Sequence, residues 1–144
     1  MPENRIRNRV LVIDDDDLVR QVFQRSLRAA GFDVVVASGG AEGLQIMRDD
    51  LSIGLVILDL NMPRMTGRDV RGVQLADGQL AAIPTIIVTG SVDGTVGLED
   101  FHPADVLRKP VPRERLIEVV SRYCQPNREG VPSRVSDLEG GPRE

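Results

Sequence analysis

Val10-Leu11-Val12-Ile13 runs straight into Asp14-Asp15-Asp16-Asp17, and that junction decides the fold. Four aliphatic residues, three of them β-branched, are too few for a helix and suit a strand buried on both faces. The acids mark where that strand leaves the core. From Asp17 to Ala30 the apolar positions Val19, Val22, Phe23, Leu27 and Ala30 recur at helical spacing, with Gly31 after the last turn. Asp16 or Asp17 caps the start, so the stretch reads as an amphipathic helix with both ends marked.

The same beat continues along the chain. Val34-Val35-Val36 predicts a strand, and Ala41 to Arg48 a helix whose apolar face is Leu44, Ile46 and Met47. Leu55 to Leu58 predicts a third strand, again ended by an acid, Asp59. Asn61-Met62-Pro63-Arg64-Met65-Thr66-Gly67 is turn-rich, with Met62 and Met65 as its anchors, and a weaker helix is expected from about Arg68 to Leu75. Thr85 to Val88 predicts a strand ending at Thr89. Between Ser91 and Pro103, Gly94, Gly97 and few apolar positions predict only a short or irregular helix. Val106-Leu107 is a brief strand ending at Lys109-Pro110. A last helix runs from Pro112, which suits a first helical turn, to Tyr123, with Leu116, Ile117, Val119, Val120 and Tyr123 facing inward.

Strands alternating with helical segments imply an α/β fold in which a parallel five-stranded sheet is covered on both faces. Composition is consistent with this. The 144 residues suffice for one core, and with three Phe and one Tyr the core must be aliphatic. Residues 1–7 read as an N-terminal extension, 8–124 as the domain, and 125–144, rich in Pro, Gly, Ser and mixed charge, as a linker or flexible tail. A net charge of -4 leaves no basic surplus for a phosphate backbone, so direct nucleic-acid binding is not expected. Cys124 is the single cysteine, which excludes an internal disulfide and argues against a cysteine zinc site. No signal-like or membrane-spanning apolar run occurs, and a cytoplasmic protein is expected.

Open parallel sheets bind ligands beyond the carboxyl ends of their strands. Reading those ends gives Asp14 and Asp15, Asp59, Thr89 and Lys109. Carboxylates gathered in one place repel one another and call for a cation. A hard site of oxygen ligands suits Mg²⁺. Thr89 and Lys109 add hydrogen-bond donors of the kind an incoming phosphoryl group needs. Lys109 is the one lysine among 18 basic residues. A compact ammonium stands there where a guanidinium fork would be bulkier.

Four blocks together resemble the receiver domains of bacterial response regulators, in the same order: Val10-Leu11-Val12-Ile13-Asp14-Asp15-Asp16, Leu55-Val56-Ile57-Leu58-Asp59-Leu60-Asn61-Met62-Pro63 with Thr66-Gly67, Ile87-Val88-Thr89-Gly90, and Arg108-Lys109-Pro110. The resemblance covers roughly residues 8 to 124 and implies a flavodoxin-like (βα)5 three-layer sandwich with strand order 2-1-3-4-5. It implies that Asp59 accepts a phosphoryl group from a histidine kinase or phosphotransfer protein. Asp15, Asp59 and the backbone carbonyl of Asn61 would ligate Mg²⁺, for which Mn²⁺ would also serve, and Asp14 would hold a metal-bound water. Thr89 and Lys109 would contact the phosphoryl group, Gly90 would leave access, and the Lys109-Pro110 peptide would be cis. The chain would catalyse only its own phosphorylation and dephosphorylation, and would switch the binding of a downstream protein.

Two departures stand out. Receivers usually carry Tyr, Phe or His three residues before the lysine, where this chain has Val106, and the stretch from Thr89 to Lys109 is short and rich in glycine. Taken singly, each feature has an ordinary explanation. The Asp14–Asp17 run suits a helix dipole, Thr89 a strand end and Pro110 a strand stop, while His102 reads as a loop residue and Cys124 as a small apolar one. Two other classes fit less well. A Mg²⁺-dependent aspartyl-phosphate phosphohydrolase would want a second acid two residues after Asp59, where Asn61 stands. A receiver-like scaffold that is never phosphorylated would not need the full set of acids, Thr89 and Lys109.

Overall fold

A computed structural model describes residues 7–91 and 97–126. Five strands, β1 (Arg9–Ile13), β2 (Asp33–Ala37), β3 (Ile53–Asp59), β4 (Thr85–Thr89) and β5 (Asp105–Arg108), form one sheet in the order β2-β1-β3-β4-β5. Every neighbouring pair is parallel. The helices are α1 (Asp17–Ala29), α2 (Gly40–Asp49), α3 (Gly67–Ala76), the single turn α4 (Gly78–Ala81) and α5 (Arg113–Ser121).

Side chains alternate between two cores. Val10, Val12, Leu55, Ile57, Ile86 and Val88 join Phe23 and Leu27 of α1 and Leu116, Val119 and Val120 of α5. Leu11, Ile13, Val56, Leu58 and Ile87 point the other way, to Leu44 and Met47 of α2, Val70 of α3 and Leu80 of α4. Period-two strands between helices on both faces make the three-layer sandwich expected from the chain's rhythm. All seven residues of β3 are buried, as a central strand requires.

The helix ends are set locally. Asp16 caps α1, its carboxylate accepting from the amides of Leu18 at 2.9 Å and Val19 at 3.2 Å. Gly31 follows with φ 96°, the left-handed conformation that ends a helix. At α3 a reciprocal pair forms: Thr66 accepts from the Asp69 amide at 3.2 Å, and the Asp69 carboxylate accepts from the Thr66 amide at 3.0 Å.

Two expectations are corrected, and two crossovers gain detail. Val22 is 50% exposed, because it lies about 100° round the helix from Phe23 and so falls outside the buried stripe. Helix α5 begins at Arg113, with Pro112 in extended conformation as its cap, and ends at Ser121, before Tyr123; Ile117 and Tyr123, half-buried, pack against the core as the inner face requires. The third crossover carries an extra helical turn, α4, capped by Asp77 through the amides of Gln79 and Leu80. In the fourth crossover the regular structure among the described residues is a 3-10 turn, Leu98–Phe101; residues 92–96, on which part of the irregular helix was expected, lie outside them, as do 1–6 and the tail from 127. Among the described residues no helix is long and apolar enough to cross a membrane.

Candidate acidic site at the carboxyl edge of the sheet

Parallel strands deliver their last residues to one edge, and the order β1-β3-β4-β5 sets the acids beside the hydroxyl and the amine. Asp14 follows β1, Asp59 ends β3, Thr89 ends β4 and Lys109 follows β5. The Lys109 ammonium reaches both early and middle acids, 3.0 Å from Asp14 Oδ2 and 3.4 Å from Asp59 Oδ1. Asp14 and Asp59 are only 2% and 3% exposed, whereas Asp15 is open to solvent. One carboxylate oxygen each from Asp14, Asp15 and Asp59 lies within 4.8 Å of the others. Three acids, two of them buried, converge on one point with a single ammonium beside them, and this donor set suits a hard divalent cation with oxygen ligands.

Backbone contacts hold the acids in place. Asp14 accepts from the Asp16 amide at 2.9 Å, and its own carbonyl accepts from the Arg20 guanidinium at 2.7 Å. Asp59 accepts from the Asn61 amide at 3.4 Å. The Thr89 hydroxyl donates to the Ser91 carbonyl at 3.2 Å, and accepts from the Ser91 amide at the same distance. The Lys109-Pro110 peptide is cis, as the resemblance implied, and the Lys109 amide donates to the Thr89 carbonyl at 2.9 Å. The structure thus places Asp14, Asp15 and Asp59 together with Lys109 against two of them, and ties Thr89 to Lys109 through backbone.

Burial, aided by the Asp14 charge, pushes the Asp59 carboxyl up to about 6; the ammonium of Lys109 and the Asn61 amide pull the other way without winning. Burial tends to lower the Lys109 ammonium, but its hydrogen bond to Asp14 and the charges of Asp59 and Asp14 lift it above its ordinary value. Asp59 therefore carries a cost, chiefly of desolvation, that the ammonium does not offset.

A second polar cluster went unread in the sequence. Arg71 and Gln74 of α3 and Thr85 of β4 are buried, at 4%, 0% and 0% exposure. Gly67, Val70, Arg71 and Gln74 form the buried stripe of α3. That i, i+3, i+4, i+7 pattern with polar residues on it was the available signal. Cys124 is buried as expected, its thiol donating to the Asn8 carbonyl at 3.0 Å and pushed up to about 11, chiefly by burial.

A parallel sheet ordered 2-1-3-4-5, with acids, a hydroxyl and a lysine gathered at one edge, defines the receiver class of α/β signalling domains. The family model described as the response regulator receiver domain matches residues 10–121, and the chain belongs to that family. Among curated relatives, the DNA-binding response regulator MtrA of Mycolicibacterium smegmatis is 35% identical over 117 residues, covering 81% of this chain and 51% of that protein. Response regulator MprA of Mycobacterium bovis is 34% identical over 135 residues, 90% of this chain and 58% of that protein. The chain spans about half the length of these relatives. Among solved structures, a response regulator receiver protein from Pseudomonas putida superposes with a TM-score of 0.76 at 33% identity, over 81% of this chain and 98% of that one. The chemotaxis protein CheY4 of Vibrio cholerae gives 0.74 at 27% identity, over 81% and 98%.

Proposed function

We propose that this receiver unit, residues 8–124, is a phosphorylation switch in two-component signalling, with Asp59 as the acceptor. The observation that carries the reading is Asp59 itself, a buried carboxylate ending the central strand and bridged to Asp14 by the chain's one lysine. A carboxylate oxygen of Asp59 attacks phosphorus in line, the bond from phosphorus to the donor's nitrogen or oxygen breaks, and an acyl phosphate forms. Lys109 pairs with the added charge, and Thr89 turns its hydroxyl from Ser91 to a phosphoryl oxygen. Asp15, Asp59 and the Asn61 carbonyl would hold Mg²⁺ or Mn²⁺, with Asp14 binding one of its waters. When bound, the ion supplies charge neutralisation for the phosphoryl oxygens. Hydrolysis of the same acyl phosphate resets the switch, so the chain's chemistry acts on itself alone.

The donor, by membership of the family, is a histidine kinase or a phosphotransfer protein in the cytoplasm. The added charge shifts the population of the loops at this edge, and with it the affinity for a downstream protein. The net charge of -4 leads us to place any DNA contact, such as the name of MtrA carries, outside this unit. The test is incubation with Mg²⁺ and acetyl phosphate followed by intact-mass measurement. One phosphoryl group should add to the wild-type chain and none to Asp59→Asn. Rapid donor turnover without an adduct would favour a hydrolase, and no reaction a constitutive scaffold.

A further inference from the structure

Arg71 poses an energetic question. Its guanidinium is 4% exposed, and among the described residues its hydrogen-bond partners are all neutral. Nε donates to the Phe101 carbonyl at 2.7 Å, one Nη to the His102 carbonyl at 2.8 Å, and the other to the Thr85 hydroxyl at 3.2 Å. A cation buried without a counter-charge is costly, so what it holds in place must matter to the fold or to its use. It holds the end of the 3-10 turn, where His102 adopts φ 48° and ψ 53°. A residue other than glycine keeps that left-handed backbone where its surroundings fix it. The Arg68 guanidinium, 5.6 Å over the Phe101 ring, is a second grip from the same helix on the same turn.

The other end of this helix touches the acidic site. Gly67 lies four residues before Arg71, on the same face of α3. Its backbone packs so tightly on the Asp59 carbonyl and the Leu60 Cα that a Cβ there would overlap both, and its amide donates to the Leu60 carbonyl at 3.0 Å. A single rigid turn of helix thus abuts the backbone of Asp59 at one end and grips the carbonyls of Phe101 and His102 at the other. Gln74 braces the arrangement, its amide nitrogen donating to the carbonyls of Leu80 at 3.1 Å and Ile83 at 3.2 Å and to the Thr85 hydroxyl at 2.9 Å.

We propose that Arg71 is a positioning residue through which helix α3 carries the state of Asp59 to the turn Leu98–His102; this rests on the reading of Asp59 as phosphoacceptor. The turn exposes Glu99, Asp100 and His102 and leads directly into β5. A shift of the Asp59 loop displaces Gly67, the helix turn moves as a body, and the two carbonyls follow the guanidinium. A fork that spans two carbonyls and a hydroxyl transmits such a shift, and a single ammonium does not.

The test is hydrogen exchange read by mass spectrometry on the full chain, with and without Mg²⁺ and acetyl phosphate, for wild type, Arg71→Lys and Arg71→Met. Intact mass is taken on every sample, and circular dichroism checks folding. In wild type, exchange in peptides covering 98–104 is expected to change about fivefold on phosphorylation. In Arg71→Lys, which keeps length and charge and guards against Arg71→Met failing to fold, those peptides should exchange about tenfold faster without phosphate. The difference between the two states should fall below about twofold while the phosphoryl adduct still forms. A merely structural arginine would speed exchange equally in both states and leave that difference intact, which would overturn the proposal alone. A wild-type chain that gains no phosphoryl mass would sink the reading of Asp59, and the proposal with it.

Discussion

Replacing Asp59 with Asn is expected to make the metal-free protein more stable at neutral to alkaline pH. The carboxyl stands at about 6 in the fold, against an ordinary 3.8. Below 3.8 the group is protonated in folded and unfolded chains alike and costs nothing extra. As pH rises towards 6 the unfolded chain gives up its proton first, so the folded state loses ground; above 6 the penalty is complete. The interval from 3.8 to about 6, at about 1.4 kcal/mol per pH unit, comes to about 3 kcal/mol. Lys109 is not stranded by the substitution, since its shorter contact, 3.0 Å, is to Asp14. That energy already includes the attraction of Lys109; with solvent screening at this edge about 1–3 kcal/mol is the expected range, or a Tm rise of roughly 3–12 °C for a domain of this size. Thermal melts in a chelator at about pH 8 and about pH 4 read it directly. The reasoning fails if Asp59→Asn melts at or below wild type at the higher pH, or if its advantage is undiminished at the lower one.

Magnesium should act in the same direction as that substitution, because it discharges the same acids. At about a hundred times its Kd it should add about 2.7 kcal/mol to the wild type, more at alkaline than at acidic pH, with Asp15→Asn losing most of the gain in a calorimetric titration. Lys109→Ala should leave Mg²⁺ affinity within about threefold while impairing the response to phosphorylation; a collapse of metal affinity would show that Lys109 shapes the metal site. Gly67→Ala drives a Cβ into the Asp59 carbonyl and the Leu60 Cα, and urea melts should show a loss of about 1–3 kcal/mol. Unchanged stability there would mean that α3 does not press on the Asp59 loop.

The parts of the fold legible in the sequence are those governed by neighbours in the chain. Val10 to Ile13 and Leu55 to Leu58 read as buried strands because each is a short aliphatic run stopped by an acid, and Asp16 and Gly31 mark α1 by local capping alone. The acids could be brought to one edge from sequence because parallel strands leave no other place for their ends. The fourth crossover was not legible in detail, since its turn is held by Arg71 from a helix about thirty residues away and not by propensity. Val22 misled for a related reason. It fits helical spacing, yet only the position of the sheet decides which side of a broad apolar arc is covered. Arg71 and Gln74 are not legible as buried, because charge and amide on a weak helix usually mean solvent, and only the hydroxyl of Thr85 and the carbonyls of Leu80, Ile83, Phe101 and His102 make their burial tolerable.

If Asp14, Asp15, Asp59, Thr89 and Lys109 form one phosphoryl-accepting pocket, a crystal structure with Mg²⁺ and beryllium fluoride, a mimic of the phosphoryl group, will show it. The fluoroberyllate should sit on the Asp59 carboxylate, the ion on Asp15, Asp59 and the Asn61 carbonyl, and Thr89 and Lys109 should turn to the fluorines. Fluoroberyllate absent from Asp59, or an ion bound away from the three acids, would contradict it.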